Sequence, residues 1–263
     1  SLHEQAVARL GLESEIAKAF EKGQFELHYQ PVVDTNGKIH GAEALIRWNH
    51  PERGYIPPMD FIPIAEETGL IIPIGRWALF TACRQIATWM KKYKLYVSIN
   101  LSAKEFSDST LLEAIEKAIK QSQDFDPAYL KLEITETKCM DDPEKTINQK
   151  QALLEIGIET FIDDFGTGYT SLGYLKRLPA VTLKIDKMFI DALVESQEEQ
   201  DYLTHIIRTV KSRKKKVLVE GVSSKEQFEL LTAMACDQMQ GYLFSKPVPA
   251  EEFEKLLLRD TLL

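Results

Sequence analysis

Apolar positions in this chain fall in short runs, separated by longer stretches in which they recur every three or four residues. After an opening helical pattern with Leu10, Ile16, Ala19 and Phe20, ending near Gly23, strands are predicted at 25–33, 39–48, 96–101, 130–135, 159–163, 182–186, 217–220 and 240–244. Helices are predicted at 60–68, 75–93, 104–123, 144–156, 197–213 and 225–235. Strand and helix alternate, the pattern of an α/β fold. Local chemistry marks the boundaries. Ser102 with Glu105, and Ser224 with Gln227, have capping-box spacing, and Asp142-Pro143 sets an N-cap residue before a proline at the first helical position. Asp34-Thr35-Asn36-Gly37-Lys38 joins the first two strands, and its Asn-Gly signals a hairpin. Every later connection holds a helix and suits parallel pairing, so a barrel-like sheet with one reversed strand is expected.

Length agrees with this reading: the 263 residues match the size at which a single α/β barrel closes, about 250 residues. No internal repeat or second domain is visible. The hydrophobic content of 44% and charged content of 27% are ordinary for a globular protein, and the longest apolar stretch, Gly69 to Ile74, is too short to span a bilayer. A net charge of -8 argues against a nucleic-acid polymer as partner. The basic run Lys211, Arg213, Lys214, Lys215 and Lys216 could attract a polyanion, but it falls at a predicted helix end, where cations complement the dipole and face solvent, and the solvated face is the favoured reading. Cys83, Cys139 and Cys236 are far apart and form no C-x-x-C, which suits reduced cytosolic thiols. The opening Ser1-Leu2-His3-Glu4 has neither an initiator Met nor a signal-peptide pattern, as expected either of a piece cut from a longer chain or of an expression scar.

Candidate chemistry gathers where strands are expected to end. Asp163-Asp164-Phe165-Gly166-Thr167-Gly168 follows the apolar run from Ile156 to Ile162. Neighbouring strand residues point to opposite faces, so both carboxylates can converge only where the strand ends, and a divalent ion would offset their repulsion. An acidic surface turn is the other reading, because Asp and Gly dominate turns. Asp164-Phe165-Gly166 also spells the metal-binding triplet of protein kinases, but no G-x-G-x-x-G loop or H-R-D motif accompanies it. Elsewhere, Glu43, Leu45 and Arg47 share a strand face, Asn100 ends the third strand, and Glu133 lies in Leu132-Glu133-Ile134-Thr135-Glu136. Lys184 shares a face with Asp186, Glu220 precedes Gly221, and Gln240 precedes Gly241. Singly, each suits an ion pair or a surface amide. Jointly they would leave many buried polar groups in need of partners, which one metal-centred site supplies. Glu43, Asn100, Glu133, Asp163, Asp164 and Glu220 offer only oxygen, which suits Mg2+ or Mn2+ over zinc or copper.

Tyr29-Gln30-Pro31, Glu43-Ala44-Leu45-Ile46-Arg47-Trp48, Asn100-Leu101-Ser102, Glu133-Ile134-Thr135-Glu136, the Asp163 to Gly168 loop, Leu183-Lys184-Ile185-Asp186, Glu220-Gly221-Val222 and Gln240-Gly241-Tyr242-Leu243 stand in this order. Together they resemble the EAL-domain family of bacterial cyclic di-GMP phosphodiesterases, over about residues 13–257. The resemblance implies a modified TIM-like (β/α)8 barrel with one antiparallel strand at 25–263, and residues 1–24 as a helix or linker towards an upstream domain. It implies metal-dependent hydrolysis of cyclic di-GMP to linear pGpG. Carried over by position, Glu43, Asn100, Glu133, Asp163 and Asp164 become metal ligands, with Glu220 completing the set and Asp163 bridging if two ions bind. Glu43, Asp164, Lys184 and Glu220 form the catalytic group, Lys184 positioning the attacking water. Gln30, Leu45, Arg47, Asp186 and Gln240 would contact substrate, and Glu136 would anchor the loop containing Gly166 and Thr167.

The resemblance also implies a homodimer, a sensory or cyclase-like domain in the parent chain, and a cytoplasmic location without membrane contact from this segment. Any membrane tether would lie elsewhere in the parent chain. Ca2+ is expected to occupy the site and inhibit. One position departs from the family, which commonly has Glu-Gly-Val-Glu where this chain has Glu220-Gly221-Val222-Ser223. A non-hydrolytic cyclic di-GMP sensor is therefore the alternative reading.

Overall fold

A hairpin sets the direction of the sheet. Asn36 and Gly37 turn the chain between β1 (Phe25–Val33) and β2 (Ile39–His50); the Asp34 carboxylate accepts from the backbone N–H of Asn36 and Lys38, and Gly37 takes a φ of 75°. The strands pair antiparallel, with Gln30 opposite Glu43. A short β3 (Gly54–Ile56) adds to the end of β2. β4 (Tyr96–Asn100), β5 (Leu130–Thr135), β6 (Glu159–Phe165), β7 (Val181–Ile185), β8 (Lys216–Val219) and β9 (Gln238–Gln240) then run parallel to β2. This computed structural model describes residues 2–166, 176–177, 179, 181–259 and 261–263. Its ring closes in the order β1-β2-β4-β5-β6-β7-β8-β9, with β1 antiparallel to both neighbours, while β10 (Val248–Pro249) adds to β1 outside the ring. The expected barrel with one reversed strand is the observed one.

Helices cover the barrel: α1 (Leu2–Glu21), α2 (Pro58–Thr68), α3 (Ile71–Trp89), α4 (Ala103–Ser107), α5 (Leu111–Gln121), α6 (Glu136–Asp141) and α7 (Pro143–Glu155) come first. After β7 follow α8 (Gln197–Ser212), α9 (Lys225–Ala233) and α10 (Ala250–Leu257). Both predicted capping boxes form, and Asp142 caps α7 through Lys145 N–H. Among the described residues, no helix is long and apolar enough to cross a membrane.

Strand alternation sorts the side chains into two environments. Val97, Ile99, Leu132, Ile134, Leu183 and Ile185 join helix residues such as Leu79, Ile86 and Ile207 in the main apolar core. The alternating positions face the barrel axis and include buried Ser98, Lys131, Glu133 and Lys184. An apolar plug fills the middle of the barrel: Tyr96 and Phe161 meet edge to face with centroids 5.4 Å apart, beside buried Leu218. Gly41 makes room for it, since a Cβ there would stand 2.3 Å from the Tyr96 ring. A second apolar cluster joins Ile16 and Ala19 of α1 to Phe25, Trp48, Ile56 and Phe61, fixing the far end of β2.

The differences from expectation have local causes. The predicted 104–123 helix is two, because Asp108 leaves the helix in an extended conformation and its carboxylate accepts from Thr110 N–H and Oγ1 and from Arg76. The strand predicted at 240–244 lies at Gln238–Gln240, because Gly241 packs so tightly on Val222 that an added Cβ would stand 2.0 Å from its carbonyl oxygen. β6 runs past its predicted end at residue 163 to Phe165. α10 was not predicted, although its apolar Phe253 is fully buried.

Candidate active site

The closed ring brings inward-facing residues from distant parts of the chain to one end. Lys184 stands at their centre: its Nζ lies 2.7 Å from Glu220 Oε1, 3.3 Å from Asp163 Oδ1 and 3.4 Å from Glu43 Oε2, and contacts Glu133 Oε2. Glu43 is held on both oxygens, Oε1 accepting from Asn100 Nδ2 at 2.6 Å and Oε2 from Gln240 Nε2 at 2.7 Å. Gln240 also donates to Gln30 Oε1 at 2.9 Å, and Gln30 donates to the Ser245 carbonyl at 3.1 Å. One lattice of hydrogen bonds therefore ties the reversed strand β1 to the acids of the parallel strands.

The paired aspartates reach the site by a route the strand-end argument did not foresee. β6 and β7 pair at Ile162–Leu183 and again at Phe165–Ile185, so Asp163 and Asp164 form a bulge opposite Lys184. Asp164 takes a φ of 54°, a left-handed conformation that Asp tolerates, and its N–H donates to Asp163 Oδ1 at 3.0 Å. The strand continues, yet two consecutive acids serve one region. Beyond the bulge, Glu136 Oε2 accepts from Gly166 N–H at 2.8 Å, and Gly166 (φ 99°) sits where a Cβ would stand 2.7 Å from the Phe189 ring. Thr167 and Gly168 lie outside the described residues.

Burial and crowding set the charges. Burial by itself would raise Glu43, but the Lys184 ammonium and the bonds from Gln240 and Asn100 hold it below the usual carboxylate range. Glu133 is pushed well above that range by burial and by the charge of Glu43. Glu220 is pushed up to about 7, chiefly by burial. Asp164 is raised by burial and by the charges of Asp163 and Asp186. Lys184 is held firmly protonated: burial opposes its charge, but Glu133, Glu220, Glu43 and Asp163 outweigh it.

One ammonium faces four carboxylates, which leaves the cluster short of positive charge. Glu133 Oε1 and Gln240 Oε1 are buried with no hydrogen-bond partner among the described residues. An oxygen-only donor set with an uncompensated negative charge and orphaned buried oxygens fits a hard divalent cation. Among the described residues, no three acidic, His or Cys side chains converge as a ready-made metal cage, since Lys184 bridges the carboxylates instead.

A hollow of about 560 Å³ opens beside the cluster, its lining including Gln30, Leu45, Asp186, Glu220, Gln240 and Tyr242. Arg47 is not part of it. Its guanidinium donates to the Ile46 carbonyl at 2.9 Å, lies 6.0 Å from the centroid of the Tyr55 ring, and lines a separate apolar hollow of about 390 Å³ that also touches Leu45 and Asn100. Tyr242, 65% exposed at the larger hollow with Lys246 near its ring, has no role in the sequence reading; its aromatic character within Gln240-Gly241-Tyr242 was the available signal.

Three loops interlock around this hollow. Glu220 N–H donates to the Ile185 carbonyl, Val222 N–H to that of Gln240, and Leu243 N–H to that of Val222. Gly221 lets the second loop meet the first, since a Cβ there would stand 2.2 Å from Lys187 Cβ. Gln227, predicted only as a cap, bolts the assembly. Its Oε1 accepts from Ser223 N–H and Oγ at 2.9 and 3.1 Å, and its Nε2 donates to the Ile190 carbonyl at 2.9 Å. Ser223, where the family pattern has an acid, thus spends its hydroxyl on the loop bolt.

A family model described as EAL domain matches residues 13–247. The chain is 40% identical over 255 residues to the bifunctional diguanylate cyclase/cyclic di-GMP phosphodiesterase MucR of Pseudomonas aeruginosa, which covers 96% of this chain and 37% of that protein. It is 36% identical over 255 residues to the cyclic di-GMP phosphodiesterase PdeR of Escherichia coli, covering 97% of this chain and 38% of that one. The chain thus spans less than two fifths of the length of these relatives. A solved structure of the MucR phosphodiesterase in complex with c-di-GMP matches at a TM-score of 0.89 and 40% identity, over 92% of this chain and 99% of that one.

Proposed function

The chain belongs to the EAL domain family, and from that premise we propose that it is a metal-dependent phosphodiesterase hydrolysing cyclic di-GMP to linear pGpG. The observation that carries this reading is the Lys184 ammonium among four carboxylates, short of positive charge and fringed by orphaned oxygens. Glu43, Asn100, Glu133, Asp163, Asp164 and Glu220 would hold Mg2+ or Mn2+. Such ions, when bound, neutralise phosphate oxygens and lower the pKa of water. Lys184, fully protonated, serves as a hydrogen-bond donor that orients the attacking water and offsets developing charge, rather than as the base. Gln240 and Asn100 fix the Glu43 carboxylate. Gln30, Leu45 and Asp186 face the substrate hollow, and Arg47 must swing from Ile46 to grip a phosphate by charge-assisted bonds. Ca2+ fills the site without supporting turnover.

The same reading includes a homodimer reporting through the Glu136-anchored loop, and residues 1–24 leading to a sensory or cyclase-like domain of a cytoplasmic parent chain. Ser223 favours one other reading, a non-hydrolytic cyclic di-GMP sensor. Purified protein with Mg2+ or Mn2+ is expected to convert cyclic di-GMP to pGpG, and Glu43→Ala to abolish turnover while retaining a folded barrel by circular dichroism. Tight binding with no product under either metal would transfer the conclusion to the sensor.

A further inference from the structure

The end of the barrel opposite the carboxylate cluster carries the reverse charge. A hollow of about 260 Å³ opens there at the starts of the parallel strands, and an adjoining one of about 590 Å³ shares His40 and Lys94 with it. Lys38, Lys92, Lys94, Lys131, Lys216 and Arg259 line the pair, against the single carboxylate of Glu159. That is a local excess of cations in a chain of net charge -8. The acids nearby are already committed: Glu159 to Lys131 at 2.8 Å, Asp34 to His40 at 2.9 Å, and Asp237 to Lys211 at 2.9 Å. Lys38, Lys92, Lys94, Lys216 and Arg259 have no ion pair among the described residues.

Helix carbonyl ends turn towards this face and favour scattered lysines. They do not account for the neutral donors in the recess. Tyr96 Oη donates to Gln238 Oε1 at 2.9 Å, which leaves the Gln238 amide nitrogen in the lining with no partner among the described residues. Thr182, 5% exposed, adds a hydroxyl to the same lining, likewise with no side-chain hydrogen-bond partner among the described residues. Recessed neutral donors surrounded by unpaired cations are the chemistry of an oxyanion receptor.

We propose that this mouth binds a soluble phosphate-bearing anion, the phosphoryl group seated on Gln238 and Thr182 with Lys94 and Lys216 closing over it. The concave entry selects a small ligand; a membrane headgroup has the same chemistry but would have to reach it from a plane.

Inorganic pyrophosphate is the probe, titrated calorimetrically at constant ionic strength into the metal-free chain. Binding is expected, with Lys94→Glu/Lys216→Glu weakening it about tenfold or more, the scale of one charge-assisted bond. Thr182→Val should weaken it about threefold, the scale of one neutral hydrogen bond. Arg47→Ala, at the opposite end, should leave it unchanged. No heat at millimolar pyrophosphate, or binding indifferent to the lysine pair, would overturn the proposal. So would sedimentation with phosphatidylglycerol vesicles, lost in the lysine variant, in the absence of pyrophosphate binding.

Discussion

At one end of the barrel Lys184 lies buried among Glu43, Glu133, Asp163 and Glu220; at the other Lys94 and Lys216 lie exposed with no carboxylate in ion-pair range among the described residues. The same strands build both ends, and the Tyr96, Phe161 and Leu218 plug separates them. Burial makes the difference. In a low-dielectric interior each charge is tolerable only through its neighbours, so the cluster behaves as one unit. In water a lysine keeps its charge unaided, so the mouth is a sum of independent groups.

Lys184→Met tests that interdependence most severely. It removes the ammonium that, among the described residues, alone pairs with buried Glu43 and Glu133 and with partly buried Asp163 and Glu220, and breaking such a network costs about 3–5 kcal/mol. Turnover should fall by about 10³-fold, within the range for losing a positioned proton-handling group. Urea melts should show the stability loss. Mg2+ should raise the midpoint of the variant more than that of the parent, because it supplies the missing charge. Equal stability without metal would mean that the carboxylates do not depend on Lys184.

The next effect concerns the loop bolt. Gln227→Glu keeps an acceptor for Ser223 but turns the donor to the Ile190 carbonyl into an oxygen, setting like partial charges face to face. Stability should drop by about 1–3 kcal/mol, the cost of a buried unsatisfied group. KM for cyclic di-GMP should rise while kcat changes less, since the loops line the hollow while Glu43, Glu133 and Asp163 stay on the strands and Glu220 keeps its backbone bond to Ile185. A fall in kcat alone would place Gln227 in the chemistry rather than in the shape of the pocket.

What the chain discloses without coordinates follows the range of the forces involved. Capping boxes at Ser102 and Ser224, the Asn36-Gly37 turn and the strand alternation are local, and all of them appear as read. The grouping of Glu43, Asn100, Glu133, Asp163 and Glu220 was legible because polar residues at so many strand ends required a common solution. Two features were not. The bulge at Asp163 and Asp164 is a property of β6 pairing with β7, not of either strand alone. The central place of Lys184 depends on ring closure, which brings it to Glu133 across 51 positions. Arg47 was read as sharing the space of Glu43 by alternation, yet its long side chain reaches back to Ile46, a choice of rotamer that strand periodicity does not govern.

Glu105 offers a milder contrast at the same end of the barrel. It is 3% exposed and accepts from Ser102 N–H in the capping box, but it makes no ion pair among the described residues, and burial raises its pKa, outweighing the capping bonds and the charge of Arg76. A carboxyl whose folded pKa exceeds its unfolded value costs stability as pH rises through that window, and the cost is absent below the unfolded pKa, about 4.3. Glu105→Gln keeps the acceptor and removes the charge. At pH 7 it should raise Tm by about 2 °C, a change below about 1 kcal/mol for a domain of this size. The gain should vanish as pH falls below about 4. A gain that persisted in acid would trace to packing against Gly75, where an added Cβ would stand 1.5 Å from Glu105 Oε1, and not to charge.

The smallest effect belongs to the exposed end. Lys94→Glu/Lys216→Glu reverses two charges that have no ion pair among the described residues. Surface changes of this kind stay within about 0.5 kcal/mol, and the plug keeps them out of contact with the carboxylates. Stability and turnover without added phosphate should therefore match the parent, measured by urea midpoint and by the rate of pGpG formation. A large loss of either would mean that the two ends communicate through Tyr96 and Phe161, and that the barrel interior carries charge from mouth to rim instead of insulating them.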